Sequence, residues 1–175
     1  MITCRIVLTG MLSMLTCFGR AAEPLKIGMV ASLTGPLAES GLYQSQGAKL
    51  AAEEVNKTGV LGRPIELILE DDQTTNPGSV LAFSKLAGDK DVSAFIGPVH
   101  STQIHAMAPD VQRVGKPMMI GGADPQLTHM GNPWLFRCRP SDTYSARVIV
   151  DYGVNTWARK SGQLCTRPMP TAPAA

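Results

Sequence analysis

Aromatic side chains make up only 5% of the 175 residues, charged ones only 17%, and there are just 4 cysteines. Each scarcity narrows the possibilities. The 16 basic and 14 acidic residues are interspersed and leave a net charge of +2, with no basic stripe interleaved with aromatics. A nucleic-acid partner is therefore not expected. Two of the cysteines fall in the first 17 residues, and the others, Cys138 and Cys165, form neither a disulfide framework nor a metal-ligand spacing. His100, His105 and His129 do not make a ligand set either, since His100 and His105 are five apart and no Glu completes a zinc motif. There is no G-x-S-x-G elbow, no Cys–His pair and no G-x-G-x-x-G, so nucleophilic catalysis and dinucleotide binding lack a motif. No metal, no cofactor and no enzymatic activity are expected.

What the chain does have is an apolar content of 44% with 17 glycines and 13 prolines, a globular composition punctuated by turns. Met1 to Ala21 reads as a secretory leader. Arg5 supplies a positive start, Ile6 to Phe18 an apolar stretch, and Gly19-Arg20-Ala21 small residues for cleavage. The apolar stretch is shorter than the roughly 20 residues that cross a bilayer. A periplasmic location is the expectation.

Beyond the leader, strand and helix patterns alternate. Leu25 to Ser32 is a continuous apolar run, the mark of a central parallel strand covered on both faces. Residues 43–57 carry Ala48, Ala51, Ala52 and Val55 on one helical face, ending at Gly59. Ile65 to Leu69 is a second strand, closing in Glu70-Asp71-Asp72, which reads as solvated carboxylates at a sheet edge. Asn76-Pro77 starts a helix to about Ala87, with Asn76 as its cap. Val92 to Ile96 is a third strand. A helix from Ser101 or Thr102 to Val114 turns Ile104, Met107, Ala108 and Val111 inward. Pro117 to Ile120 and Trp134 to Arg137 are further strands. Asp142 to about Asn155 is a helix with Tyr144, Val148 and Tyr152 on one side.

This order requires an α/β fold, a doubly wound parallel sheet with right-handed crossovers. Ligands on such sheets sit beyond the carboxyl ends of the strands. Ser101-Thr102 stands there at a helix start, where free amides attract an anion such as a carboxylate; Ser101 as a plain helix cap fits equally well. His100 lies in the same loop. Gly121-Gly122-Ala123-Asp124 lets a ligand approach the backbone, with carbonyls or Asp124 able to hold an ammonium group; a turn with a helix-capping Asp fits as well.

Ile27 to Pro36, Gly47 to Asn56 with Gly59 and Gly62, Glu70-Asp71-Asp72, Ile96-Gly97 and Phe136 to Asp142 together resemble the type I periplasmic solute-binding proteins of the leucine and branched-chain amino acid group, the substrate-binding proteins of ABC transporters. The resemblance covers about residues 25 to 156. It implies a lobe over residues 24–140, a crossover helix over 141–156, and a second lobe that this chain lacks. It also implies a monomer that closes on an amino acid or a related small acid or amide and hands it to an ABC permease. In this family the loop matching Ser101-Thr102 binds the ligand carboxylate and the loop matching Gly122, Ala123 and Asp124 adds polar contacts. The first loop, here Ala38 to Gly41 with Ser40, touches the ligand side chain. Ser40 stands where leucine binders place an aromatic residue. A lone lobe is expected to bind weakly and to be poorly soluble. The runner-up is a ligand-sensing module of the same fold; an α/β hydrolase-type enzyme is a third reading.

Residues 157–175 show no periodicity and read as an irregular tail. With suitable synonymous codons, a shifted frame from Trp157 encodes Gly-Glu-Glu-Lys-Trp-Ala-Ile-Val-Tyr-Ser-Thr-Asp-Ala-Tyr-Gly, a charged turn, an apolar strand and an acidic loop. The expectation is a slipped reading frame near Thr156. The nucleotide sequence checks it: codons from Trp157 onward should encode that strand out of register, and codons that destroy it sink the idea.

Overall fold

The computed structural model describes residues 23–155; the segment read as a leader, Cys165 and the segment read as a tail from Thr156 lie outside the described residues. Five parallel strands form one sheet: β1 (Leu25–Ala31), β2 (Ile65–Asp71), β3 (Val92–Ile96), β4 (Met118–Ile120) and β5 (Leu135–Arg137). Their order is β2-β1-β3-β4-β5. β1 pairs with β2 from Leu25↔Ile65 to Ala31↔Asp71 and with β3 on its other edge. The chain thus leaves β1 toward one side and returns to the other, which places the switch in strand order between β1 and β3. The loops after these two strands open a crevice there.

The connecting helices are α1 (Ala38–Asn56), α2 (Asn76–Gly88), α3 (Ser101–Val114) and α4 (Asp142–Asn155), with a 3-10 turn at Pro125–Thr128. α2 and α3 pack on each other, and α2 packs on β1 and β2. The core between these helices and the sheet joins Val30, Phe83, Leu86, Val92, Phe95, Ile104, Met107, Val111, Met118 and Ile120. Phe83 and Phe95 meet edge to face with ring centroids 4.9 Å apart. The inward stripe expected for α3 is the observed one: Ile104, Met107, Ala108 and Val111 are buried. Gly115 ends α3 in a left-handed conformation, φ 68°, which favours glycine.

Several local expectations change. α1 begins at Ala38, five residues before Tyr43, because Gly35-Pro36-Leu37 forms a turn in which Ala38 N–H reaches Gly35 O at 3.2 Å. Ser40 and Gly41 therefore belong to the first turns of α1, not to the loop. The helix rests on Gly41 and Ser45, with Ala48 and Ala52 half-buried, while Ala51 and Val55 face solvent. Small residues are needed on that stripe: a Cβ on Gly41 would lie 1.9 Å from Ser32 O. The cap of α2 is Thr75, not Asn76. Thr75 has extended backbone and its hydroxyl accepts Gly78 N–H at 3.0 Å, which leaves Asn76 as the first helical residue.

α1 packs chiefly on β1 and β2. On the same side of the sheet the register partners Met119 and Phe136 are 47% and 49% exposed. On α4, Tyr144, Val148 and Tyr152 share one side and are each more than half exposed. Gly41→Ala should force α1 off Ser32, costing about 1–3 kcal/mol. Thermal unfolding followed by circular dichroism should show a Tm lower by about 5–10 °C; an unchanged Tm would contradict the close approach.

Candidate functional site

Because all five strands are parallel, the loops after β1, β2, β3 and β4 share one rim. The first two loops are welded by the acidic pair that ends β2. Asp71 Oδ1 accepts the N–H groups of Leu33 (2.9 Å), Thr34 (3.1 Å) and Gln73 (2.9 Å), and Asp71 Oδ2 accepts the Thr34 hydroxyl at 2.6 Å. Asp72 is fully buried, its Oδ1 taken by Ser32 Oγ (2.7 Å) and Thr74 N–H (2.8 Å). The reading of these residues as solvated carboxylates is thereby corrected. Asp71 and Asp72 are acceptors for donors that two tight turns expose, while Glu70 is half-buried and paired with Lys85. Partial burial opposes ionisation of Asp71. The Thr34 hydroxyl and the N–H groups of Gln73, Thr34 and Leu33 outweigh it and hold the carboxyl below its usual range. Thr74 Oγ1 closes the weld on Thr34 O at 2.8 Å, with Gln73 and Thr74 both at positive φ.

The loop after β3 is tied to α1 by Gln44, whose Nε2 donates to Gly97 O at 3.1 Å. His100 is the cap position of α3, half-buried, and makes no side-chain capping bond. Ser101 is thus the first helical residue and not the cap. Its Oγ accepts Asp124 N–H at 3.2 Å, which joins the loops after β3 and β4. Gly122 is buried between them; a Cβ there would lie 2.5 Å from Ile104 Cδ1 and 3.1 Å from Ser101 Oγ. Ala123 is half-buried and its carbonyl accepts Asp142 N–H at 2.9 Å. Thr102 is exposed beside Ser101, and Ser40 is exposed on α1.

Asp124 is in place but differently engaged from a free ammonium partner. Its Oδ1 accepts Gln126 N–H (2.9 Å) as cap of the 3-10 turn, and Oδ2 lies 2.8 Å from His105 Nε2. These two contacts, with Arg137 nearby, hold the Asp124 carboxyl below its ordinary range. Arg137 Nη1 also donates to Asp124 O at 2.8 Å. The structure therefore brings Ser101, Gly122, Ala123 and Asp124 together, with His100 and Thr102 adjoining by sequence. Among the described residues no side-chain hydrogen bond or ion pair joins Ser40 to them. Gln44 and Arg137 escaped the sequence reading as site residues, and Asp71 and His105 were weighed there only as a solvated carboxylate and a non-ligand histidine. The one available signal was the i, i+4 spacing of Ser101 and His105 on a helix flank.

The arrangement presents α3 N–H groups, two hydroxyls and an imidazole at the switch in strand order, a wall suited to an anionic acceptor. Among the described residues no group of three or more His, Cys, Asp or Glu is placed to hold a metal ion. A cleft of about 360 Å³ lined by Glu23, Pro24, Lys26, Arg63 and Asp91 lies at the opposite rim, where the strands begin.

Residues 24–171 match the family model described as periplasmic binding protein. The chain belongs to that family. It is 32% identical over 142 residues to the Leu/Ile/Val-binding protein BraC3 of Rhizobium johnstonii, covering 80% of this chain and 38% of that one. It is 30% identical to the leucine-, isoleucine-, valine-, threonine- and alanine-binding protein of Pseudomonas aeruginosa, covering 69% of this chain and 32% of that one. Among solved structures it superposes on the branched-chain amino acid transporter substrate-binding protein LivJ of Streptococcus pneumoniae, in complex with isoleucine. The TM-score is 0.72 with 26% identity, over 77% of this chain and 39% of that one. This periplasmic binding protein chain thus spans well under half the length of those relatives. The fold is that of one type I lobe, as the resemblance implied.

The Asp71 weld yields a pH prediction. Its folded carboxyl is more acidic than its unfolded one, so it adds stability above the unfolded value near 3.8, lost as pH falls through the folded value. Urea midpoints measured from about pH 5 down to about pH 2 should fall for the native chain. Asp71→Asn should lower the midpoint at neutral pH and flatten that acid limb; an unchanged limb would place the acid sensitivity elsewhere.

Proposed function

We propose that this chain is the ligand-binding lobe of a solute-binding protein that serves an ABC importer in the periplasm. Its ligands are amino acids of the branched-chain type or related small acids and amides. The observation that carries the reading is the Ser101–Asp124 hydrogen bond, which gathers the loops after β3 and β4 at the start of α3, beside the β1/β3 crevice. In this proposal the ligand carboxylate docks on the N–H groups and hydroxyls of Ser101 and Thr102, with His100 at its edge. The Gly122–Ala123 backbone lines the approach, and Ser40 faces the ligand side chain from α1. Asp124 shapes the loop instead of holding the ammonium group. The protein acts by capture and release and not by catalysis, which agrees with relatives named as binding proteins. Among the described residues no helix is long and apolar enough to cross a membrane.

One wall of a cleft desolvates a ligand poorly, and affinity in such sites comes from burial between opposed surfaces. The isolated 175-residue chain is therefore proposed to bind leucine, isoleucine or valine with a Kd in the millimolar range or weaker, equivalent to about 4 kcal/mol or less. Isothermal titration together with amide shift mapping tests both parts. Weak, saturable shifts confined to Ser101, Thr102 and the Gly122–Ala123 segment support the site. Micromolar affinity would overturn the one-wall argument, and shifts centred elsewhere would overturn the site.

A further inference from the structure

Ser101 and His105 are one turn apart on the same flank of α3, and both reach Asp124. Ser101 takes its main-chain N–H at 3.2 Å, and His105 Nε2 lies 2.8 Å from its Oδ2. Its remaining polar atoms are engaged as well, Oδ1 by Gln126 N–H and the carbonyl by Arg137. We propose that His105 is a positioning residue for the candidate ligand wall: by gripping the Asp124 carboxylate on the flank of α3, it sets the polarity of the Ser101 hydroxyl.

The chemistry follows from counting protons. A serine hydroxyl has one proton and two lone pairs. With Oγ already accepting from Asp124, the proton of Ser101 is directed away from that bond, and among the described residues no acceptor takes it. It is therefore available to a ligand that accepts, such as a carboxylate, and poorly arranged for one that donates. The grip also turns the carboxylate oxygens of Asp124 toward His105 and Gln126 N–H instead of toward a ligand at the start of α3. That selectivity rests on the binding reading above; the grip itself does not.

The surroundings make His105 the decisive partner. Asp110, the next acid along α3, is engaged by Arg113 at 2.6 Å. On the 3-10 turn His129 Nδ1 is hydrogen-bonded to Pro125 O at 2.8 Å, and Arg137 of β5 is spent on the Asp124 carbonyl and on Thr128. His105 also borders a cavity of about 220 Å³, shared with Ala108, Pro109, Gln112, Met130 and Asn132. Its side chain is 32% exposed. Substitution there leaves the core of α3 untouched.

The test compares His105→Gln with His105→Asn in the 175-residue chain by amide hydrogen exchange. The two share a donor amide but differ in reach by one methylene. Gln should still meet Asp124 Oδ2 and keep exchange at Asp124 slow. Asn should fall short and speed exchange at Asp124 by about tenfold while amides in β2 and α2 stay unchanged. His105→Leu should behave as Asn. Equal exchange in the Gln and Asn variants, or a uniform acceleration across the sheet, would overturn the positioning role. Leucine added to the same samples reads the other claim separately. Loss of leucine-dependent shifts at Ser101 in the Asn variant, with retention in Gln, supports the polarity argument. Equal shifts in both variants count against it. A native chain that ignores leucine refutes the binding reading, while the exchange contrast still decides His105.

Discussion

β1 has a hydrogen-bonded neighbour on each edge and helices against its buried half, and the site depends on how the chain leaves it. The outgoing path goes to β2 and the return to β3, so no crossover fills the space above their junction. Helix starts and tight turns accumulate around that space with main-chain N–H groups unspent by the sheet. Such groups must find acceptors. Asp71 and Asp72 supply them on one side, and Ser101 and Asp124 on the other. The rim is built by satisfying its own donors, and the donors left over at the start of α3 define what it can hold.

Close backbone approaches set the spacing of the rim. Gly41 lets α1 settle onto Ser32, and Gly122 lets the β4 loop lie across Ile104 and Ser101. With a side chain at either position the two segments would have to part by roughly 1 Å or more, enough to take the hydrogen bonds that cross them out of range. Packing and polar chemistry are therefore inseparable here, since Gln44 can reach Gly97, and Ser101 can reach Asp124, only across those contacts.

The layered order of strands and helices was legible because long apolar runs and helical stripes encode it locally, as in Leu25–Ala31 and in the Ile104, Met107, Val111 face of α3. That Ser101, Gly122, Ala123 and Asp124 of the candidate site would lie in loops after parallel strands was legible. The engagement of Asp124 was not, because His105 and Arg137 approach it from 19 positions before and 13 after. The burial of Asp72 was equally hidden: an acidic triplet looks hydrated unless the donors of Ser32 and Thr74 are known to face it. The start of α1 was misplaced because Gly35-Pro36 reads as an open loop, whereas its turn already nucleates the helix. The stripe of α1 was shifted for a related reason. Small polar and glycine contacts leave no hydrophobic signature.

The uneven cover of the sheet gives the two lips of the crevice different mechanical characters. The β1 loop is bolted to a seven-residue strand with partners on both sides. The Gly121–Asp124 loop hangs from three-residue strands whose Met119 and Phe136 face water. Short, half-solvated strands open locally before the centre of a sheet does. One lip is an anvil and the other a spring, so an incoming solute would be met by a fixed edge and accommodated by a yielding one.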